Sequence, residues 1–223
     1  MSAFIGPIHY WLYGKIRLVA EREEYIYNKA AEMCGSTAEE LREQVWQTYG
    51  EPLPDADLSE LLDHDNIHGW LQRQINIHET REAAFTKELL DTCGSAAAGL
   101  VEQAFAEHGK LTGESASSRG KYDISAAPGI YQALNDYYLN GMPCDPADTV
   151  RVTQADSIVW DTAVCLQAPN WKRAGVPDEA MAKFYQAWLT GFVDGINPEF
   201  AYRKTSHDRP TGNDVARNEI FRK

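Results

Sequence analysis

The chain has 223 residues, 43% of them hydrophobic and 24% charged, which is the balance of a folded globular protein and excludes a disordered one. The 21 Lys and Arg residues face 33 Asp and Glu, and the formal net charge of -12 disfavours nucleic acid and anionic membrane surfaces as partners. No apolar run approaches the roughly 20 residues of a membrane-spanning helix.

Pro7 suits a first helical turn, and an amphipathic run from Ile8 to Met33 follows it. Leu12, Ile16, Val19, Ile26 and Ala30 form its apolar side, and Gly35 is the expected stop. Ser36-Thr37-Ala38-Glu39-Glu40 opens a short helix to about Tyr49, after which Gly50, Pro52 and Pro54 break the chain. Asp57 or Ser59 caps a long helical pattern that extends to Cys93, where Gly94 ends it; Gly69 is the one residue inside it that could break it. Ser95 to His108 gives a further helix, and Gly109 to Tyr122, rich in Gly, Ser and Lys, reads as an exposed connection. A helix from about Pro128 to Leu139 ends at Gly141-Met142-Pro143.

The last third changes character. Asp148 to Gln154 alternates and carries β-branched residues, the pattern of a strand. Ser157 to Leu166 is apolar and fits either strand or helix. Pro177 and Asp178 open a helix through about Val193, and Gly195-Ile196-Asn197-Pro198 is a stop and turn. Phe200 to Ser206 and Val215 to Phe221 are strands on either side of Arg209-Pro210-Thr211-Gly212-Asn213, so the chain ends in a hairpin. The expected fold is one α+β domain, with a helical part over residues 1–109 packed with a mixed part over 121–223 that supplies a small antiparallel sheet.

The richest polar segment is Asp63-His64-Asp65-Asn66-Ile67-His68, followed by His78-Glu79. On an unbroken helix His64 and His68 share a face, the spacing of two metal-ligating imidazoles. A divalent metal there needs a third ligand from elsewhere, and His9, Glu24 and His207 are the candidates. The same histidines serve equally as general acid or base, or as plain hydrogen-bonded polarity in a helical bundle. Asp63 and Asp65 would raise the pKa of a neighbouring imidazole, which favours proton transfer over metal binding. Tyr10, Trp11 and Tyr13, with Trp70, could wall a pocket for a planar ligand or simply pack. The four cysteines (Cys34, Cys93, Cys144, Cys165) make no Cys-x-x-Cys pair, so reduced thiols in a cytoplasmic protein are expected. Cys165, four residues after Asp161, is a candidate nucleophile or a small buried hydrophobe. Met1 to Ile16 lacks the basic start and clean apolar stretch of an export signal.

The C-terminal order of strand, apolar segment, helix, Gly195-Ile196-Asn197-Pro198-Glu199-Phe200, then Arg203, Thr205 and a Gly212-Asn213-Asp214 turn resembles the L-2-amino-thiazoline-4-carboxylic acid hydrolase family over roughly residues 95–223. Where that family often carries cysteines, this chain has Ala155 or Asp156 and Val215 or Ala216. The resemblance implies a bacterial hydrolase acting on a small cyclic, nitrogen-containing substrate. Water would attack a polarised ring carbon, with His64 or His68 as base, Asp65 orienting it, and Glu79 or Asp161 steadying developing positive charge. His9, Tyr10, Trp11, Tyr13, Trp70, His78 and Asn197 are expected around the substrate. No cofactor is required, a divalent metal is allowed, and a homodimer is permitted. The alternatives are a non-catalytic small-molecule binding module with an aromatic-lined pocket and a metal-dependent enzyme using His64 and His68.

Overall fold

Apolar residues spaced at helical intervals dominate the first two thirds of the chain, and a computed structural model places them on helices there. It describes residues 5–145, 147–208 and 214–223. Helices α1 (Pro7–Cys34), α2 (Ser36–Tyr49), α3 (Leu58–Leu61), α4 (Ile67–Thr92), α5 (Ala96–Ser118) and α6 (Ala127–Tyr137) precede strands β1 (Asp148–Thr153) and β2 (Ser157–Thr162). Helices α7 (Ala168–Ala174) and α8 (Asp178–Ile196) follow, then strands β3 (Phe200–Asp208) and β4 (Asp214–Arg222). The fold is α+β, with N-terminal helices and a four-stranded antiparallel sheet drawn from the C-terminal third. The chain divides into two compact units, Met1–Val101 with Gln167–Met181, and Glu102–Leu166 with Ala182–Lys223.

In the first unit, Leu12, Ile16, Val19, Ile26 and Ala30 of α1 are all buried, as their spacing predicts. Helices α1 and α4 run parallel and in register. Arg22 meets Glu82, Glu23 meets Arg81, and Tyr27 meets Phe85, each pair about sixty residues apart in sequence. The interface is therefore ionic at its centre. Arg22 donates from Nε and Nη2 to the two Glu82 oxygens at 2.6 and 2.9 Å, and Arg81 Nε donates to Glu23 at 2.6 Å. All four side chains are buried. Enclosed pairs of this kind cost desolvation and gain it back through geometry, so removing one partner is expected to cost about 3–5 kcal/mol.

The long helix expected from Asp57 to Cys93 is broken, and the break precedes Gly69. Asp57 caps the single turn of α3 by accepting from Ser59 N. Residues 62–66 leave helical geometry, and Asn66 restarts the chain as the α4 cap by accepting from Gly69 N at 3.0 Å. A Cβ at Gly69 would overlap that Asn66 side chain, so a larger residue there would have to displace the cap. Helix α7 was not evident in the sequence; it opens on Pro169 and closes on Gly175 in the left-handed region.

In the second unit the sheet order is β1-β2-β4-β3 with every pairing antiparallel. Ser157 to Leu166, left open between strand and helix, is strand to Thr162. The expected connection from Gly109 is helix instead, because α5 continues to Ser118. Gly109 and Gly113 serve close packing. A Cβ on Gly109 or Gly113 would overlap the backbone of Trp188 or Phe192, and one on Gly191 or Gly195 would overlap Ala106 or Lys110. The two helices thus press backbone against backbone through matched glycine pairs four residues apart. Beside this crossing lies a buried aromatic cluster. Trp188 stacks on Phe192 with ring centroids 5.4 Å apart, Phe105 contacts Phe184 and Tyr185, and Tyr138 contacts Trp188.

Candidate functional site

At the N-terminal ends of α1 and α4, four of the anticipated residues converge in two pairs. His9 and His68 approach to 3.2 Å between Nε2 atoms, and Tyr13 lies 6.5 Å from Trp70 between ring centroids. The backbone N–H of Gly6 donates to His9 Nδ1 at 2.9 Å. That lone pair being used, neutral His9 carries its proton on Nε2 and donates it to His68. Neither His9 nitrogen is then available as a metal ligand in this arrangement. His64 is not a helical turn from His68, because residues 62–66 are not helical; it is exposed and donates from Nε2 to the Ser59 carbonyl at 3.0 Å. This corrects the shared-face geometry on which the two-histidine ligand set was built. Asp65 and His68 are exposed as well. Tyr10 is exposed and donates to Asp57, and Lys15 covers Trp11 with its ammonium 3.5 Å from the ring centroid. Glu24 accepts from Arg42, and the backbone of His207 pairs with Val215. Among the described residues no three His, Cys, Asp or Glu side chains gather as a ligand set.

His78 and Glu79 lie deeper, both only 1% exposed. His78 Nδ1 donates to the Gln74 carbonyl at 2.8 Å, which leaves Nε2 as a buried acceptor with no hydrogen-bond partner among the described residues. Burial, with the Arg81 charge, pushes His78 down to about 4. Burial pushes Glu79 up to about 8, against the hydrogen bond it accepts from Asn170 at 2.6 Å. At neutral pH both are therefore uncharged. Arg173 donates to Asn170 and Thr80 and fixes the Asn170 amide that holds Glu79.

The remaining anticipated residues belong to the second unit. Asn197 spends both amide atoms on structure. Its nitrogen donates to the Ile124 carbonyl, and its oxygen accepts from Glu199 N. Cys165 is exposed in the turn beyond β2. Asp161 is buried on β2 and accepts from Arg217 (Nε at 2.9 Å, Nη2 at 3.2 Å) and from Arg151 (Nε at 2.9 Å). Arg217, seconded by Arg151, holds its carboxyl below the usual range.

Asp161 leads to a site that the sequence did not announce. Strand alternation sends Ile158 and Trp160 of β2 into the core and Val159 and Asp161 to the other face. Register brings Asp161 opposite Arg217, Val159 opposite Glu219, Arg217 opposite Thr205, and Glu219 opposite Arg203. On β1 the register shifts between Val150 and Val152, so Arg151 is an extra, bulged residue, and the bulge aims it at Asp161. These residues enclose a groove of about 360 Å³ lined by Arg151, Val152, Val159, Arg203, Thr205, Arg217 and Glu219. Three guanidiniums face two carboxylates (Asp161 and Glu219), which leaves one positive charge on a protein that is otherwise strongly acidic. Arg151 uses only Nε, and Arg203 and Arg217 use Nε and Nη2, on those carboxylates. The other guanidinium N–H groups have no partner among the described residues.

The alternation Arg203-Lys204-Thr205 and Arg217-Asn218-Glu219 is legible in the sequence. What it lacks is the cross-strand register and the bulge, which depend on partners far apart in the chain. Comparison with family models, with curated proteins and with solved structures gives no match for this chain.

Proposed function

We propose that this protein binds a small, ring-bearing carboxylate in the groove of its sheet. The carboxylate would sit on free guanidinium donors of Arg151 and Arg217, and the ring on the methyl groups of Val152 and Val159. The observation that carries this reading is the β1 bulge. It places a second guanidinium beside an Asp161 that Arg217 already grips through two nitrogens. One carboxylate does not exhaust two guanidiniums, and a planar oxyanion completes the array through paired N–H donors. The groove volume is at the lower end of the range for small-molecule sites. The family that residues 95–223 resemble is named for a substrate of this form, a small ring bearing a carboxylic acid.

Binding is favoured over hydrolysis on chemical grounds. A ring-opening hydrolysis needs a proton acceptor at the ring. Among the described residues the carboxylates at the groove are Asp161 and Glu219, each neutralised by arginine. Asp161 is moreover held below the usual carboxylate range, which makes it a poor base.

Calorimetric titration with benzoate and, separately, with inorganic phosphate tests the reading. Saturable benzoate binding is expected, weakened at least about tenfold by Arg151→Gln and by Arg217→Gln, the loss of a charge-assisted hydrogen bond. Arg151 lies on the exposed edge strand, so its replacement leaves the core intact. Absence of saturable heat with either probe, or binding indifferent to both substitutions, overturns the proposal. Phosphate binding as tight as benzoate would remove the role given to the valines.

A further inference from the structure

Both long helices of the first unit end on the same tripeptide. Cys34-Gly35-Ser36 closes α1 and Cys93-Gly94-Ser95 closes α4. Because the helices are parallel and in register, the ends fall side by side, and the Cys34 thiol is close enough to raise the pKa of the Cys93 thiol. Cys34 and Cys93 are half-buried. Gly35 and Gly94 both have positive φ, 58° and 78°, so each cysteine stands directly before a sharp turn out of its helix.

We propose that Cys34 and Cys93 form a redox pair, which a peroxide-class oxidant joins into a disulfide that clamps the C-terminal ends of α1 and α4. The Cys34 thiolate attacks one oxygen of hydrogen peroxide, the O–O bond breaks, and the departing hydroxide takes a proton and leaves as water. The resulting sulfenic acid is attacked by the Cys93 sulfur. Its hydroxyl leaves as a second water, taking the Cys93 proton. Two thiols lose two electrons and two hydrogens, and one peroxide gains them. The order of attack follows from the environment. Burial and the adjacent Cys34 thiol push the Cys93 thiol up to about 11, so Cys93 stays protonated and is the resolving rather than the attacking sulfur. A bond here closes a loop running from Cys34 through α2, α3 and α4, tying together the helices that share the buried Arg22–Glu82 and Arg81–Glu23 pairs.

The test is peroxide treatment of the reduced full-length chain, followed by non-reducing peptide mapping and intact-mass measurement. A Cys34–Cys93 linked peptide is expected, with a loss of about 2 Da for the two hydrogens that the bond removes. The same link should form in a Cys144→Ala/Cys165→Ala background. Cys93→Ser should let Cys34 over-oxidise to the sulfinic acid for want of a resolving thiol, and Cys34→Ser should leave Cys93 a free thiol. Wild-type protein in which Cys34 and Cys93 stay free while Cys144 and Cys165 react, or in which Cys34 proceeds to sulfinic acid beside a free Cys93, overturns the proposal.

Discussion

His78 and Glu79 are neighbours in the chain, equally enclosed, and pushed in opposite directions by the same desolvation. Their effects on stability have opposite signs. His78 is lowered from 6.5 to about 4, so the unfolded chain takes up a proton in that window that the folded protein refuses, and stability falls as pH drops through it. Glu79 is raised from 4.5 to about 8, so the folded protein keeps a proton that the unfolded chain releases, and stability falls as pH rises through that window. Between 4.5 and 6.5 the two oppose each other. Urea unfolding as a function of pH should therefore show a maximum in that interval. Glu79→Gln should flatten the alkaline limb up to about pH 8 and leave the acid limb in place; an unchanged alkaline limb would mean that Glu79 is ionised in the folded state. Helical spacing places His78, Glu79 and Glu82 toward one side of α4, and all three are buried. The same spacing misled for His64, since Asx side chains compete with the helix for backbone donors. Asp63 takes the N–H of Asp65, and Asn66 takes that of Gly69.

Elements were legible wherever one face of periodic apolar residues met solvent on the other, as in α1, and in the strands with strict alternation. Among the misread elements is α5. Its second half, from Gly109, has the composition of a loop, and helix propensity argues against it by about 1 kcal/mol per glycine. Tertiary contact overrides that preference, because only glycine lets α5 and α8 approach backbone to backbone. The spacing Gly109-x-x-x-Gly113 matched by Gly191-x-x-x-Gly195 is the signal that could have revealed the pairing. Gly191→Ala should lower stability by about 1–3 kcal/mol or more, since its Cβ has no room beside the Ala106 carbonyl. Gly99→Ala, in the same α5 with open space around it, should raise stability by up to about 1 kcal/mol. Denaturant midpoints with unchanged slopes would measure both. Similar small effects at the two positions would refute the close crossing.

At the scale of the whole molecule, the charge reading and the groove belong together. A net charge of -12 repels anions at long range, so a small oxyanion would be recognised where arginines outnumber local carboxylates. Raising salt should weaken that recognition, because it screens the guanidiniums at the open groove. The overall acidity was plain from composition. The local reversal was not, because it rests on which strands pair and on one extra residue in β1. The most direct measurement is a titration of ¹⁵N,¹³C-labelled protein with benzoate, followed at the arginine Nε–H and valine methyl resonances. The account predicts saturable shifts at Arg151, Arg217, Val152 and Val159 with one shared affinity. Shifts that stay linear with concentration, or that concentrate on residues outside the groove, would contradict it.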